Sequence, residues 1–243
     1  MADIGTGARG FCHPELSMTS ILLRLALDTV LIATCLFVPA GTLSWWRAWV
    51  LLVVLLVIRV LTALVVYRVN PALLRDRAKI ALSGDQPWTD KVFLIGVLIT
   101  GFLGLPVIAA LDVFRWHLLP RPAPLVAGIG LLLLAIGWTL KGVVLRANAF
   151  ATSVVRLQRE RNHSVVDSGP YRIVRHPFYA ADPLIHVGLS LWLESYLAAL
   201  CAIISIAVLV TRIRFEERFL RRELAGYTEY SARVQYRLIP GVW

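Results

Sequence analysis

The sequence predicts an all-α integral membrane protein with about five to six transmembrane helices, the last two forming a C-terminal hairpin. Three observations carry this. Of 243 residues, 58% are apolar and 16% charged. The mean hydropathy is +0.71, far above that of ordinary globular chains. Apolar runs close to 20 residues long recur along the chain, each sufficient to cross roughly 30 Å of hydrocarbon as a helix, and the ten-residue alternation of a membrane β-barrel is absent.

Four such runs lie at about 21–42, 46–67, 93–111 and 124–145. The first follows a Gly- and Pro-containing leader with no small-residue cleavage site after it, so it is expected to stay as a helix. A fifth run, 183–213, is too long for one span and too short for two full ones; Glu194 and Ser195 interrupt it, which predicts a short arm over 183–193 and a full arm over 196–213. Within the spans, Arg24 and Asp28 stand four apart on one helix face and are expected to pair, whereas Arg59 and Lys141 are near enough to span ends to snorkel. Gly128, Gly130, Gly137 and Gly142 read as close-packing positions. Cys12, Cys35 and Cys201 are too scattered for a disulfide framework or a metal site, and two of them are expected on lipid-facing or buried helix surfaces.

The formal net charge is +10. Its basic residues cluster after the second span (Arg68, Arg75, Arg77, Lys79, Lys91), after the fourth (Arg146, Arg156, Arg159, Arg161, Arg172, Arg175) and toward the C-terminus (Arg214, Arg218, Arg221, Arg222, Arg233, Arg237). The positive-inside rule puts all three in the cytoplasm, which six crossings with both termini inside would satisfy. Charge that topology explains gives no ground for nucleic-acid binding, and no Gly-rich loop follows a strand to suggest a soluble nucleotide domain. One membrane domain over 1–243 is expected, divided into four N-terminal helices (1–145) and a polar-rich core (146–243).

The polar stretches 146–182 and 211–243 should hold any chemistry. In "GPYRIVRHPFY" (169–179), Pro170 and Pro177 bias Gly169 and His176 away from helix, so the loop has a defined shape. Arg172 and Arg175 offer guanidinium forks, His176 titrates near neutrality, and Tyr171, Phe178 and Tyr179 present ring faces to an adenine or a cation. The same composition would also suit an aromatic and basic belt at headgroup level. Downstream, Glu216 and Glu217 fall where the last span emerges, with Arg212 one turn before Glu216 and Arg221 one turn after Glu217, so simple helix-surface pairs are the plain alternative.

"GPYRIVRHPFY", followed after a hairpin by "FEERFL", "GYTEY" and "RVQYRLIPGVW", resembles the isoprenylcysteine carboxyl methyltransferase family, related to the phospholipid N-methyltransferases, in its bacterial-type members. "ANAFATSVVRLQRERNHSVVDSGPY" resembles the family's approach to that motif. The likeness covers about 141–243. It implies a cytoplasm-facing pocket for S-adenosylmethionine, framed by His163, Gly169, Tyr171, Arg175, His176, Pro177, Tyr179, Glu216 and Glu217. Arg175 and Glu216 would be catalytic, and Asn148 and Arg156 would lie toward the substrate. It also implies a lipophilic acceptor reached from the bilayer, a bacterial inner-membrane setting, and no metal. Ala181 stands where family members usually carry Gly, and with Asp182 the "YAAD" pattern also resembles membrane sterol reductases that bind NADPH. A non-catalytic membrane scaffold is the third reading.

Overall fold

A computed structural model describes residues 18–78, 88–151 and 163–243. The expectations placed on Arg156, Arg159, Arg161, Lys79 and Cys12 lie outside these residues. Every regular element among them is helical: α1 (Met18–Ala40), α2 (Trp46–Val69), the short α3 (Pro71–Ala78), α4 (Trp88–Val97) running through a π-helical stretch (Leu98–Leu103) into α5 (Gly104–Leu111) and a second π turn (Asp112–Trp116), α6 (Pro124–Ala147), α7 (Pro177–Trp192), α8 (Tyr196–Glu223) and α9 (Tyr227–Arg233).

Five of these stretches are long and apolar enough to cross a membrane: Thr19–Ala40, Trp46–Val69, Trp88–Trp116, Pro124–Ala147 and Tyr196–Glu223. The protein is therefore a multi-pass membrane protein. At 1.5 Å per residue, the 28 residues of α8 extend about 42 Å, so its last two turns outrun the hydrocarbon. The expected short arm is longer than the sequence suggested. It begins at Pro177, inside the polar motif, and not at 183, because proline is favoured at the first helical position and His176 before it is held out of the helix at φ −124°, ψ 59°. The hairpin turns where expected. Glu194 takes a left-handed conformation (φ 62°), and Ser195 caps α8 by accepting from Ala198 N–H at 2.9 Å.

The third span widens into π geometry for a local reason. Pro106 has no N–H to return to the carbonyl of Phe102, so the ladder loses a rung and the turn before it opens. Elsewhere the packing is close. α6 lies against α7 at Gly130 and Gly188, where a Cβ on Gly130 would come within 2.8 Å of the Gly188 carbonyl oxygen and one on Gly188 within 2.6 Å of the Gly130 oxygen. Gly137 and Gly142 also meet neighbours closely, but Gly128 faces open space and serves no such contact.

Inside the spans, Asp28 is met by Arg59 of α2, and Arg24 donates to the Arg77 carbonyl at 3.0 Å. Arg59 thus reaches across to another helix instead of rising to the interface. Lys141 does not snorkel either: it is 6% exposed and donates to Asp182 of α7 at 2.6 Å. In lipid a cation with a partner one helix away gains more from that partner than from a long reach to water. Cys35 and Cys201 are half-buried.

Candidate active site

The C-terminal tail and α8 together fix the motif loop. Arg175 N–H donates to the Tyr236 carbonyl and His176 N–H to that of Arg237, both at 2.9 Å, so residues 236–237 lie alongside the motif. Glu217 locks the arrangement. Its Oε1 accepts from Arg175 Nε at 2.6 Å and lies 3.3 Å from His176 Nε2, while Oε2 accepts from Arg237 Nε at 2.9 Å. The carboxylate is 4% exposed. Arg175 Nη1 donates further to the carbonyls of Val234 (2.7 Å) and Gln235 (2.9 Å). α9 docks beneath, with Tyr230 Oη donating to the Tyr171 carbonyl at 2.8 Å.

This clasp shapes a cavity of about 120 Å³, lined by Asn148, Phe150, His163, Tyr171, Arg175, His176, Phe178, Tyr179, Glu216, Tyr227 and Tyr230 among others. Ring side chains make up nearly half of its wall. Phe150 and His163 stack at 4.5 Å between centroids, and His176 and Tyr179 lie nearly parallel at 5.8 Å. Glu216 accepts from Tyr179 Oη at 2.7 Å. Tyr179 in turn carries Arg212 over its ring at 5.5 Å, and Arg212 pairs with Asp90 of α4 at 3.0 Å. Burial pushes the Tyr171 phenol up to about 12 against an opposing hydrogen bond with Asn148, and burial likewise raises Tyr227 and Tyr230.

Of the residues expected at the site, His163, Tyr171, Arg175, His176, Tyr179, Glu216 and Asn148 reach the wall of this one cavity. Gly169, Pro177 and Glu217 do not line it. Gly169 (φ 56°) opens a 3-10 turn over Gly169–Arg172, Pro177 starts α7, and Glu217 faces the tail. The helix-surface pairing of Glu217 with Arg221 gives way to this buried clasp because adjacent helical positions diverge by about 100°: Glu216 turns to the cavity and Glu217 to the tail. Arg175 reaches the cavity wall, yet its Nε and Nη1 are spent on the protein itself.

Among the wall residues not singled out as site residues beforehand are Phe150, Tyr230 and Tyr227, although all three stand in stretches that carry the family resemblance. Tyr227 is 4% exposed, and its hydroxyl has no hydrogen-bond partner among the described residues. A buried unpaired hydroxyl on a cavity wall is a natural contact for a polar ligand. "GYTEY" held the only clue, since Gly226 (φ 81°) makes the turn that aims α9.

A second cavity, of about 230 Å³, lies between α1, α2, α3 and α6. Phe178 lines both cavities.

Residues 125–225 match the phospholipid methyltransferase family. Over 112 residues the chain is 30% identical to protein-S-isoprenylcysteine O-methyltransferase B of Arabidopsis thaliana, covering 45% of this chain and 57% of that protein. Over that C-terminal portion the chain is similar to the isoprenylcysteine O-methyltransferases. A further relative, the cobalt-zinc-cadmium resistance protein CzcN of Cupriavidus metallidurans, is 31% identical over 103 residues, 42% of this chain and 47% of that one. The chain spans about half the length of the curated relatives it matches. The solved eukaryotic intramembrane Ras methyltransferase ICMT superposes with a TM-score of 0.54 at 19% identity, over 92% of this chain and 77% of the other. The likeness in fold therefore extends over the N-terminal spans, where the sequence likeness does not reach.

Proposed function

We propose that this chain is an S-adenosylmethionine-dependent methyltransferase acting at the membrane on a lipophilic acceptor, with carboxyl O-methylation of an isoprenylcysteine-like compound as the leading reaction. One observation carries the reading: a polar, aromatic-walled cavity and an intramembrane cavity share a single ring, Phe178. A water-soluble donor and a lipid-soluble acceptor can then approach the same point from opposite sides.

The wall suits the donor group by group. Glu216 and the Tyr227 hydroxyl offer an acceptor and a donor to ribose hydroxyls or an ammonium, and the stacked rings of Phe150 with His163 and of His176 with Tyr179 offer faces to an adenine and a sulfonium. When bound, the donor supplies an electrophilic methyl group on a cationic sulfur. The chain's own contribution is alignment and exclusion of water. Arg175 and Glu217 hold the tail over the motif as positioning residues, Glu216 touches the donor, and Asn148 orients Tyr171. A carboxylate acceptor arrives already ionised, so no base is required of the wall. We read the cavity as facing the cytoplasm, which the basic clusters around it support, in a bacterial inner membrane.

Titrating detergent-purified protein with S-adenosylhomocysteine and, separately, with NADPH tests this. Ligand-dependent stabilisation grows with concentration over Kd. S-adenosylhomocysteine should raise the thermal midpoint and NADPH should leave it unmoved. Stabilisation by NADPH alone would reverse the assignment in favour of a reductase.

A further inference from the structure

Lys141 occupies a setting that proteins ordinarily build for a ligand. Its ammonium lies 4.3 Å from the centroid of Phe178, 5.5 Å from Phe102 and 5.8 Å from Trp138. Asp182 Oδ1 completes the enclosure at 2.6 Å. Three ring faces and a carboxylate around one positive charge form the kind of cage that captures alkylammonium head groups. Here a side chain of the protein fills it. A buried pair of this kind contributes little net stability compared with apolar residues of equal volume, so fold maintenance is a weak reason for it.

Its position gives a better one. Lys141 lines the intramembrane cavity, and the other ionisable groups on that wall are Arg24, Arg59, Arg77 and Asp28. Arg77 also lies against the Phe178 ring, at 5.1 Å. Two cations thus flank the ring that separates the two cavities, in low-dielectric surroundings that strengthen their pull on an anion entering there.

We infer that Lys141 sets the acceptor class: by filling the aromatic and carboxylate cage it shuts out amphiphiles with an ammonium head, and together with Arg77 beside Phe178 it selects amphiphiles with an anionic head such as a carboxylate. This rests on the intramembrane cavity being the acceptor site, as proposed above.

The test uses the full chain in nanodiscs of zwitterionic lipid, with radiolabelled dodecanoate and dodecyltrimethylammonium as probes and binding counted above empty discs. The native protein should prefer dodecanoate at least tenfold; equal binding or the opposite preference overturns the inference without recourse to any variant. Lys141→Met frees the cage and should raise dodecyltrimethylammonium binding at least tenfold while lowering that of dodecanoate. An unchanged preference would reduce the lysine to a packing role. In the Lys141→Met, Asp182→Asn double variant the gained cation binding should vanish, and its persistence would refute the cage. Lys141→Arg should retain the anion preference. S-adenosylhomocysteine binding, measured in parallel, separates the two levels: a native protein that binds it without probe selectivity loses only this inference, and one that shows selectivity but no cofactor binding loses only the methyltransferase reading.

Discussion

Glu216 and Glu217 are neighbours with opposite tasks, and substitution should separate them. Glu216 faces the cavity and accepts from the Tyr179 hydroxyl. Replacing it by Gln removes a charge-assisted bond to the donor, which costs roughly 1.5–3 kcal/mol, or about 10- to 150-fold in S-adenosylhomocysteine affinity, with the fold kept. Glu217 instead gathers Arg175, His176 and Arg237. Glu217→Ala leaves the buried Arg175 without its counter-charge, and breaking a buried pair from one side costs about 3–5 kcal/mol. The expected outcome is a marked fall in thermal midpoint in the absence of any ligand. Calorimetry and thermal scans on both variants check this; equal loss of affinity with unchanged stability in the two would refute the division of labour.

At the level of elements, the 3-10 turn and α9 bring Tyr171, Tyr227 and Tyr230 together beneath the cavity, and all three phenols are raised by burial. The sign follows from linkage. A raised folded pKa means that the native state keeps its protons after the unfolded chain has begun to lose them near pH 10. Stability from these groups is whole below about pH 10 and declines as pH climbs toward the folded value, about 12 for Tyr171. Of the chain's seven tyrosines, a late-ionising group should therefore appear in a phenolate absorbance titration, its onset coinciding with loss of helical signal. Ionisation of every tyrosine near pH 10 with the fold intact would contradict the burial. None of this grouping was legible beforehand, because "GYTEY" and "GPYR" lie some 55 residues apart and meet only through tertiary structure. The spans were legible for the opposite reason: a bilayer demands long apolar runs whatever surrounds them. The motif residues were legible as types, and seven of those expected do share one wall. Their tasks were not, since Glu217 has an adequate local partner on paper in Arg221 and a better one, Arg175, 42 residues away. Lys141 was misread in the same way, its partner Asp182 lying 41 residues on.

For the whole molecule, the cavity itself dictates how the chain threads the membrane. Its wall combines Asn148 and Tyr179, near the end of α6 and the start of α7, with Glu216 and Tyr227 around the end of α8. The hairpin of α7 and α8 must therefore begin and end on one side, which makes the 16-residue α7, about 24 Å long and so shorter than roughly 30 Å of hydrocarbon, the return leg. The opposite ends agree. Arg47 at the start of α2 pairs with Glu194 at the hairpin turn at 3.1 Å, and Ser195 donates to Asp112, near the end of the third span, at 2.7 Å. The start of α2, the end of the third span and the hairpin tip thus meet on the far face. Tracing the helices from there, we propose six crossings with the start of α1 and the end of α8 on the cavity side, which the positive-inside rule would make the cytoplasm. Single-cysteine variants at 75–80, 156–165 and 225–240 should all resist a membrane-impermeant thiol reagent in intact cells and react in inverted vesicles, while one placed at Leu193 or Glu194 should do the reverse. Labelling of the C-terminal set from outside would break the six-crossing path, and with it the cavity, because Glu216 and Tyr179 could not then share a wall.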